Sequence, residues 1–173
     1  MYSRVYVEIT NICNMNCSFC HGHDRAPRQM TEAEYAHILR QLQGKTQYIY
    51  HHLMGEPLVH PLLPRFIQMA REAGFHPMLT TNGTLVDLRG EQLLGIGLHK
   101  VNISLHSFEG AQQEDHQRYL RKIAEFAEKA NRLGILISLR LWNQGFDEGR
   151  NDIALETLTE ILPGQWTENT RGY

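Results

Sequence analysis

A chain of 173 residues with 42% hydrophobic and 21% charged side chains can build its own core, which excludes disordered and fibrous classes. It is too short for a complete eight-unit (β/α) barrel, which takes about 250 residues. Seventeen cations against nineteen anions leave a net charge of −2, so no basic field favours nucleic acid. The opening residues 1–8 carry no basic or apolar leader pattern, and no apolar run reaches 18 residues, so neither a signal peptide nor a membrane span is predicted.

In chain order, short β-type runs alternate with helical patterns. A first strand is predicted over 4–10, and a cysteine-bearing stretch follows it directly. Thr31-Glu-Ala-Glu34 is a capping box that opens a helix to about residue 43, with Gly44 just past its end. A second strand over 47–54 leads to a helix over 62–73 that stops at Gly74. The third strand, 76–81, precedes a short helix over 87–94 that Gly90, Gly95 and Gly97 weaken. The fourth, 100–106, precedes the longest helical pattern, 111–133, closed by Gly134. The fifth, 135–142, precedes a last helix over 152–162 that ends at Pro163.

Strand then helix, five times over, means right-handed crossovers and a parallel sheet of the α/β class. A sixth strand is the next expected element. The tail 164–173 shows no strand pattern and reads as the start of a missing sixth unit, in a region cut from a longer protein. The strands are two-faced. Val5, Val7 and Ile9 alternate with Tyr6, Glu8 and Thr10; Val101, Ile103 and Leu105 with Asn102, Ser104 and His106; Ile137, Leu139 and Leu141 with Ser138, Arg140 and Trp142. A parallel sheet buried on both faces reads as continuous Val, Ile and Leu. One polar face instead predicts a sheet curled around a wet site, because burying unpaired hydroxyls and charges is costly. An open sheet with one face in solvent is the competing arrangement.

All three cysteines, Cys13, Cys17 and Cys20, lie within eight residues. An odd, tightly spaced trio is a ligand set rather than a disulfide framework, and predicts a reducing, cytoplasmic setting. It follows a strand's C-terminal end, where parallel α/β folds carry their chemistry. Three thiolates there suit three irons of a cubane iron–sulfur cluster. With no fourth cysteine, one iron stays open to water, a histidine or an exogenous ligand, as catalysis needs. The alternative is a Cys3His zinc site completed by His21 or His23, in a structural or electron-carrying module.

The spacing C-x3-C-x2-C, with Phe19 before the third cysteine, resembles the cluster-binding motif of the radical S-adenosylmethionine (radical SAM) superfamily. Further resemblances follow in order. Leu53-Met-Gly-Glu-Pro57 is similar to that family's Gly-Gly-Glu-Pro motif, Thr80-Thr-Asn-Gly83 to its Thr-Asn-Gly turn, and Ile103-Ser-Leu-His106 to its Ser-Leu-Asp segment. The resemblance implies a partial (β/α)6-type barrel with about five units present and residues 1–163 as its core. It implies a [4Fe–4S] cluster whose open iron binds S-adenosylmethionine, reductive cleavage to a 5′-deoxyadenosyl radical, and hydrogen abstraction from a substrate. It also implies an external one-electron donor such as flavodoxin or ferredoxin, and a small-molecule or peptide substrate. Nucleic acid and membrane partners are not expected.

Residue by residue, the resemblance assigns Cys13, Cys17 and Cys20 to the cluster and sets Phe19 beside the adenine. Gly55, Glu56 and Pro57 stand where a backbone carbonyl accepts from the methionine ammonium; Glu56 either assists as an anion or braces its own loop. Thr80 and Asn82 come with the Thr-Asn-Gly turn, and Ser104 is the strand-four residue that touches ribose or carboxylate. Arg140, on the polar face, is placed to fork onto a carboxylate of cofactor or substrate. Arg118 or Arg121, on the long helix, is the second candidate for that job, against a solvated helix face. Met54 replaces the first motif glycine, implying a looser backbone approach, and His106 replaces an acidic residue in the ribose-recognition segment.

Ten histidines need sorting. His51 and His52 alternate, so only one faces the cavity. His52 shares a face with Tyr48 and Tyr50 and is expected to line substrate space with Glu8 and Thr10, against a hydrogen-bonded core role for either histidine. His60 and His99 are expected to carry no chemistry, Phe66 and Met69 to be core, and Asn102 to bond either cofactor or a neighbouring strand.

Overall fold

The capping box at Thr31 closes in both directions. Its hydroxyl accepts from the Glu34 amide at 3.3 Å, and the Glu34 carboxylate accepts from the Thr31 amide at 2.8 Å. The helix it starts, α1, runs Glu32–Leu42 and ends at the turn before Gly44. The structure is a computed structural model that describes residues 1–108, 113–142, 148–162, 164 and 167. Five strands appear in it: β1 Val5–Val7, β2 Tyr48–His51, β3 His76–Thr81, β4 Lys100–Ser104 and β5 Leu136–Arg140. The further helices are α2 Leu63–Glu72, α3 Val86–Arg89, α4 Gln113–Arg132 and α5 Arg150–Ile161.

All four pairings are parallel, and the sheet order is β1-β2-β3-β4-β5. An order with no reversal has no switch point, so right-handed crossovers put every helix on the same face. That face is the apolar one. Ile49, Leu79, Val101, Ile103 and Leu105 lie under Phe66 and Ile67 of α2 and Leu120 and Ile123 of α4, all fully buried in one core. Each such side chain contributes roughly 1.5–3 kcal/mol by leaving water. The helices therefore form a convex outer layer, and the opposite, concave face is left for the site.

Four predicted strands end early at this edge. β1 stops at Val7 rather than at residue 10, because the chain turns to pair Thr10 antiparallel with Gln29. β2 stops at His51, and β4 gives way to a single 3-10 turn over Leu105–Ser107 that includes His106. β5 likewise covers only the middle of the predicted 135–142. Backbone groups that leave the ladder here serve the loops of the C-terminal edge. The short helix expected over 87–94 is α3 followed by a 3-10 turn, Gly90–Leu93. The last helix starts two residues earlier than expected, after Gly149, whose φ of 76° breaks the incoming chain. Residues 111–112 of the expected long helix, Pro163, and most of the tail lie outside the described residues. Among the described residues no helix is long and apolar enough to cross a membrane.

Candidate active site

The cysteine loop leaves β1 and returns to α1, and its base is closed by asparagine. The Asn11 side chain accepts from the Arg28 amide at 2.7 Å and donates to the Ala26 carbonyl at 2.9 Å, while its backbone amide donates to the Arg28 carbonyl at 3.2 Å. Thr10 works alongside: its hydroxyl donates to Arg28 and accepts from the Ile12 amide, both at 3.1 Å. Thr10 is therefore buried in the scaffold of the loop, not lining substrate space as expected. Its three-residue offset from the end of β1 takes it out of the strand alternation that suggested otherwise.

Inside this frame none of the three cysteines is in a disulfide; Cys13 and Cys20 are exposed and Cys17 is half-buried. The Cys17 thiol reaches across to the Ser107 carbonyl at 3.6 Å, so the loop folds over the end of β4. The Cys13 sulfur accepts from the Met15 amide at 3.4 Å; burial, then nearby Glu56 and Cys20, push its thiol pKa up. Three soft donors on one loop, none consumed by a disulfide, fit three corners of an iron–sulfur cluster. Among the described residues no group of three or more His, Cys, Asp or Glu side chains is arranged to hold a single metal ion. His23, one of two possible fourth ligands of the zinc alternative, places its Nε2 2.8 Å from the Asn11 carbonyl and braces the loop.

The Gly-Glu-Pro segment after β2 packs directly on this loop. Gly55 has a φ of 77°, and a Cβ added there would meet the Thr10 carbonyl oxygen at 2.5 Å and the Ile12 carbonyl oxygen at 2.9 Å. The close approach that Met54 was expected to loosen is thus made by Gly55, while the Met54 amide donates to Glu8 at 3.2 Å. The next amide, Glu56, donates to the Ile12 carbonyl at 2.9 Å. Glu56 itself is fully buried. Its carboxylate accepts from the Leu58 amide at 2.9 Å, the Thr81 hydroxyl at 2.7 Å and the Asn82 amide at 2.7 Å. Burial pushes its pKa up while these three donors pull it down. Of the two roles open to Glu56 from the sequence, the geometry shows the brace. Pro57 opens the 3-10 turn, Pro57–Val59, that Glu56 caps.

The Thr-Asn-Gly turn after β3 completes the ring. The Asn82 side chain donates to Oδ1 of the Asn14 side chain at 3.0 Å, and the Asn14 side-chain amide donates to the Thr84 hydroxyl at 2.8 Å. Gly83, at φ 75°, lets Ile123 and Ile103 close in, since a Cβ would stand 2.5 Å and 2.9 Å from their methyls. The buried Tyr119 of α4 donates to the Asn82 carbonyl at 2.7 Å and holds the turn from behind. Asn11, Asn14 and Tyr119 were not picked out from the sequence. The first two carried a faint signal, asparagine density in a loop, which favours local side-chain turns. Tyr119 carried none.

On the concave face, Glu8 is held below its usual pKa first by Arg25, which donates to both its oxygens at 2.6 and 3.0 Å. The Thr80 hydroxyl accepts from the Asn102 side-chain nitrogen at 3.3 Å, so Asn102 satisfies its neighbouring strand. Ser104 is buried and stands in register with Arg140. Phe19, half-exposed, lies 5.1 Å from the His106 ring, and the Arg140 carbonyl is 3.4 Å from His106 Nδ1. His52 is half-buried on this face, as expected, and His51 is core. His60 is structural too, bridging the Met30 carbonyl and the Leu62 amide at 3.0 Å each. Phe66 is core as expected, and Met69 packs against it half-buried. Arg118 takes the solvated helix face, the alternative that stood against its carboxylate role. Its side chain is 72% exposed and pairs with Asp115 at 2.8 Å on the outer surface of α4, and Arg121 is exposed on the same helix. Both arginines lie on the solvent side of α4, while Tyr119 and Leu120 between them are buried.

The sequence model of the Radical SAM superfamily matches residues 7–142. The curated protein GTP 3',8-cyclase of Chlorobaculum tepidum is 32% identical over 110 residues, 61% of this chain and 33% of that protein. A probable GTP 3',8-cyclase of Sulfolobus acidocaldarius is 29% identical over 134 residues, 75% of this chain and 43% of that protein. The chain thus spans a third to less than half of the length of these two relatives. Among solved structures, BtrN in complex with AdoMet and 2-DOIA aligns at a TM-score of 0.62 with 24% identity, covering 80% of this chain and 57% of that one. Streptococcus suis SuiB bound to precursor peptide SuiA aligns at 0.65 with 19% identity, covering 91% and 37%. At these identities the structural likeness is one of fold, a partial (β/α) barrel.

Proposed function

Since the chain belongs to the radical SAM superfamily, enzymes whose cofactors are a [4Fe–4S] cluster and S-adenosylmethionine, we propose that residues 1–163 form a catalytic core that generates a 5′-deoxyadenosyl radical. Cys13, Cys17 and Cys20 hold the cluster. When bound, it supplies the electron that cleaves the sulfonium, and the resulting radical takes hydrogen from substrate. This chain's own residues position and shield. Gly55 to Pro57 present backbone to the methionine ammonium. Phe19 lies against the adenine, Thr80, Asn82 and Ser104 line the cofactor's side, and Arg140 receives a carboxylate of cofactor or substrate.

The observation that carries this reading is the bonding of the cysteine loop to both motif turns, through Ile12 to Glu56 and through Asn14 to Asn82. A structural metal site needs neither connection. One rigid rim holds the thiolates and the cofactor-side backbone in register, which is what a bound, oriented reactant requires. Flavodoxin or ferredoxin is the electron donor in this reading, and a reducing cytoplasm keeps the thiols free. GTP, which the names of the curated relatives attach to those proteins, is the first substrate to offer.

The test is anaerobic reconstitution with iron and sulfide, followed by dithionite and S-adenosylmethionine, with 5′-deoxyadenosine as the assayed product. The wild-type chain is expected to turn brown and form product. Cys17→Ala is expected to lose both the cluster absorbance and the product, and retention of either overturns the assignment.

A further inference from the structure

Every polar group of Asn82 has a partner. Its side-chain nitrogen donates to Asn14 in the cysteine loop, its Oδ1 accepts from the Thr84 amide and hydroxyl, and its backbone amide donates to Glu56. The remaining group, its carbonyl, accepts from the Tyr119 hydroxyl at 2.7 Å. The next amide, Gly83, donates to the Thr81 hydroxyl at 3.0 Å, so the peptide between Asn82 and Gly83 is pinned on both sides. Without those two bonds it would turn over easily, because the glycine behind it, here at φ 75°, accepts either sign of φ.

Tyr119 is buried, and burial, then the charge of Glu56, push its pKa up, so the hydroxyl keeps the proton it donates. Its ring does a second job. It lies flat on Phe108, with centroids 4.4 Å and planes 4° apart. Phe108 follows Ser107, whose carbonyl lies 3.6 Å from the Cys17 sulfur. One side chain of α4 therefore backs two turns that the cysteine loop touches. The hydroxyl backs the turn that holds Asn14, next to Cys13, and the ring backs the turn that meets Cys17. Ligands of one cluster need such outside partners, because a side chain is held in place by the bonds and packing of its neighbours.

We propose that Tyr119 is a positioning residue for the cysteine loop, setting Cys13 through the Asn82 turn and Cys17 through Phe108. This rests on the reading of the three cysteines as cluster ligands and extends their support to a helix on the convex side.

The test begins on the chain without iron, where alkylation of Cys13, Cys17 and Cys20 by iodoacetamide is timed and located by tandem mass spectrometry. Y119F removes the hydroxyl and keeps the ring, and is expected to raise the Cys13 rate about threefold or more with Cys17 little changed; Y119L is expected to raise both. L120V, a buried change beside it on α4, is the stability control and is expected to leave the relative rates of the three cysteines as they are. N14A breaks the same link at an exposed residue, where the fold is not at risk, and is expected to raise the Cys13 rate as Y119F does. On the cluster-loaded chain, Y119F is expected to shift the midpoint potential and to weaken S-adenosylmethionine binding about three- to tenfold, read from the change it makes in the electron paramagnetic resonance of the reduced cluster. Wild-type cysteine rates in Y119F, a wild-type Cys13 rate in N14A, or the Y119F pattern in L120V overturns the proposal. A wild-type chain that takes up no cluster removes the proposed function and leaves the alkylation test standing; a wild-type chain that forms product while Y119F matches it in every readout removes this inference alone.

Discussion

His51 and His52 are neighbours in sequence and answer to opposite faces of one sheet. His51 points into the helix-covered core with no exposed surface, its Nε2 2.6 Å from the Tyr35 hydroxyl and its Nδ1 3.0 Å from the Met78 carbonyl. Tyr35 in turn stacks on Phe66 with ring centroids 4.4 Å apart. His52 points the other way and leaves a buried ring nitrogen unpaired. On the convex side both ring nitrogens of His51 have partners within hydrogen-bond distance, as burial demands. The concave side holds donors in reserve. The same division separates Glu56, whose oxygens take three donors in the rim, from Arg140, which has no ion-pair partner among the described residues.

The sharpest way to break this contrast is at the seam between the faces. Gly55→Ala forces a Cβ against the Thr10 and Ile12 carbonyls at a backbone angle that disfavours side chains. It is expected to cost about 4 kcal/mol, combining left-handed strain with overpacking, and to prevent cluster assembly. Denaturant midpoints and cluster absorbance check it, and wild-type values for both would show that the loop does not rest on this glycine.

Acid tests the convex side. Burial lowers the His51 pKa from 6.5 to about 4, so between those values the unfolded chain binds a proton that the folded chain does not. Its contribution is full above pH 6.5 and is lost as pH falls through about 4, a swing of about 3 kcal/mol. Urea melts across this window are expected to show a smaller acid slope in His51→Asn than in the wild-type chain; equal slopes would refute the role of this buried ring.

Glu56→Gln keeps the shape but turns an amide donor toward groups that themselves donate. A loss of about 2 kcal/mol is expected, because at least one buried donor goes unpaired. Chemical denaturation measures it, and no loss would mean that the rim does not depend on the carboxylate. The smallest effect is expected at His52. With no bond to lose, His52→Gln is expected to change stability by less than about 0.5 kcal/mol, and a larger loss would place it with His51.

Much of this was legible in the chain alone, where the physics is short-range. The Thr31 capping box, the alternation that split His51 from His52, and the crowding of Cys13, Cys17 and Cys20 onto one loop depend on residues a few positions apart. Alternation also assigned the correct faces to Ser104 and Arg140, and order and spacing carried the family. What only the tertiary structure decided are the pairings across long separations. Cys17 meets Ser107 ninety positions away and Asn82 meets Asn14 across sixty-eight. Glu56 had several chemically equal uses, and only the arrival of Thr81 and Asn82 selected the brace. Arg118 and Arg140 carry the same charge, yet the packing of α4 turned one outward to Asp115 while β5 set the other on the concave face. A side chain's chemistry is written in its type, but its partner is chosen by whichever segments the folded core brings within about 3 Å of it.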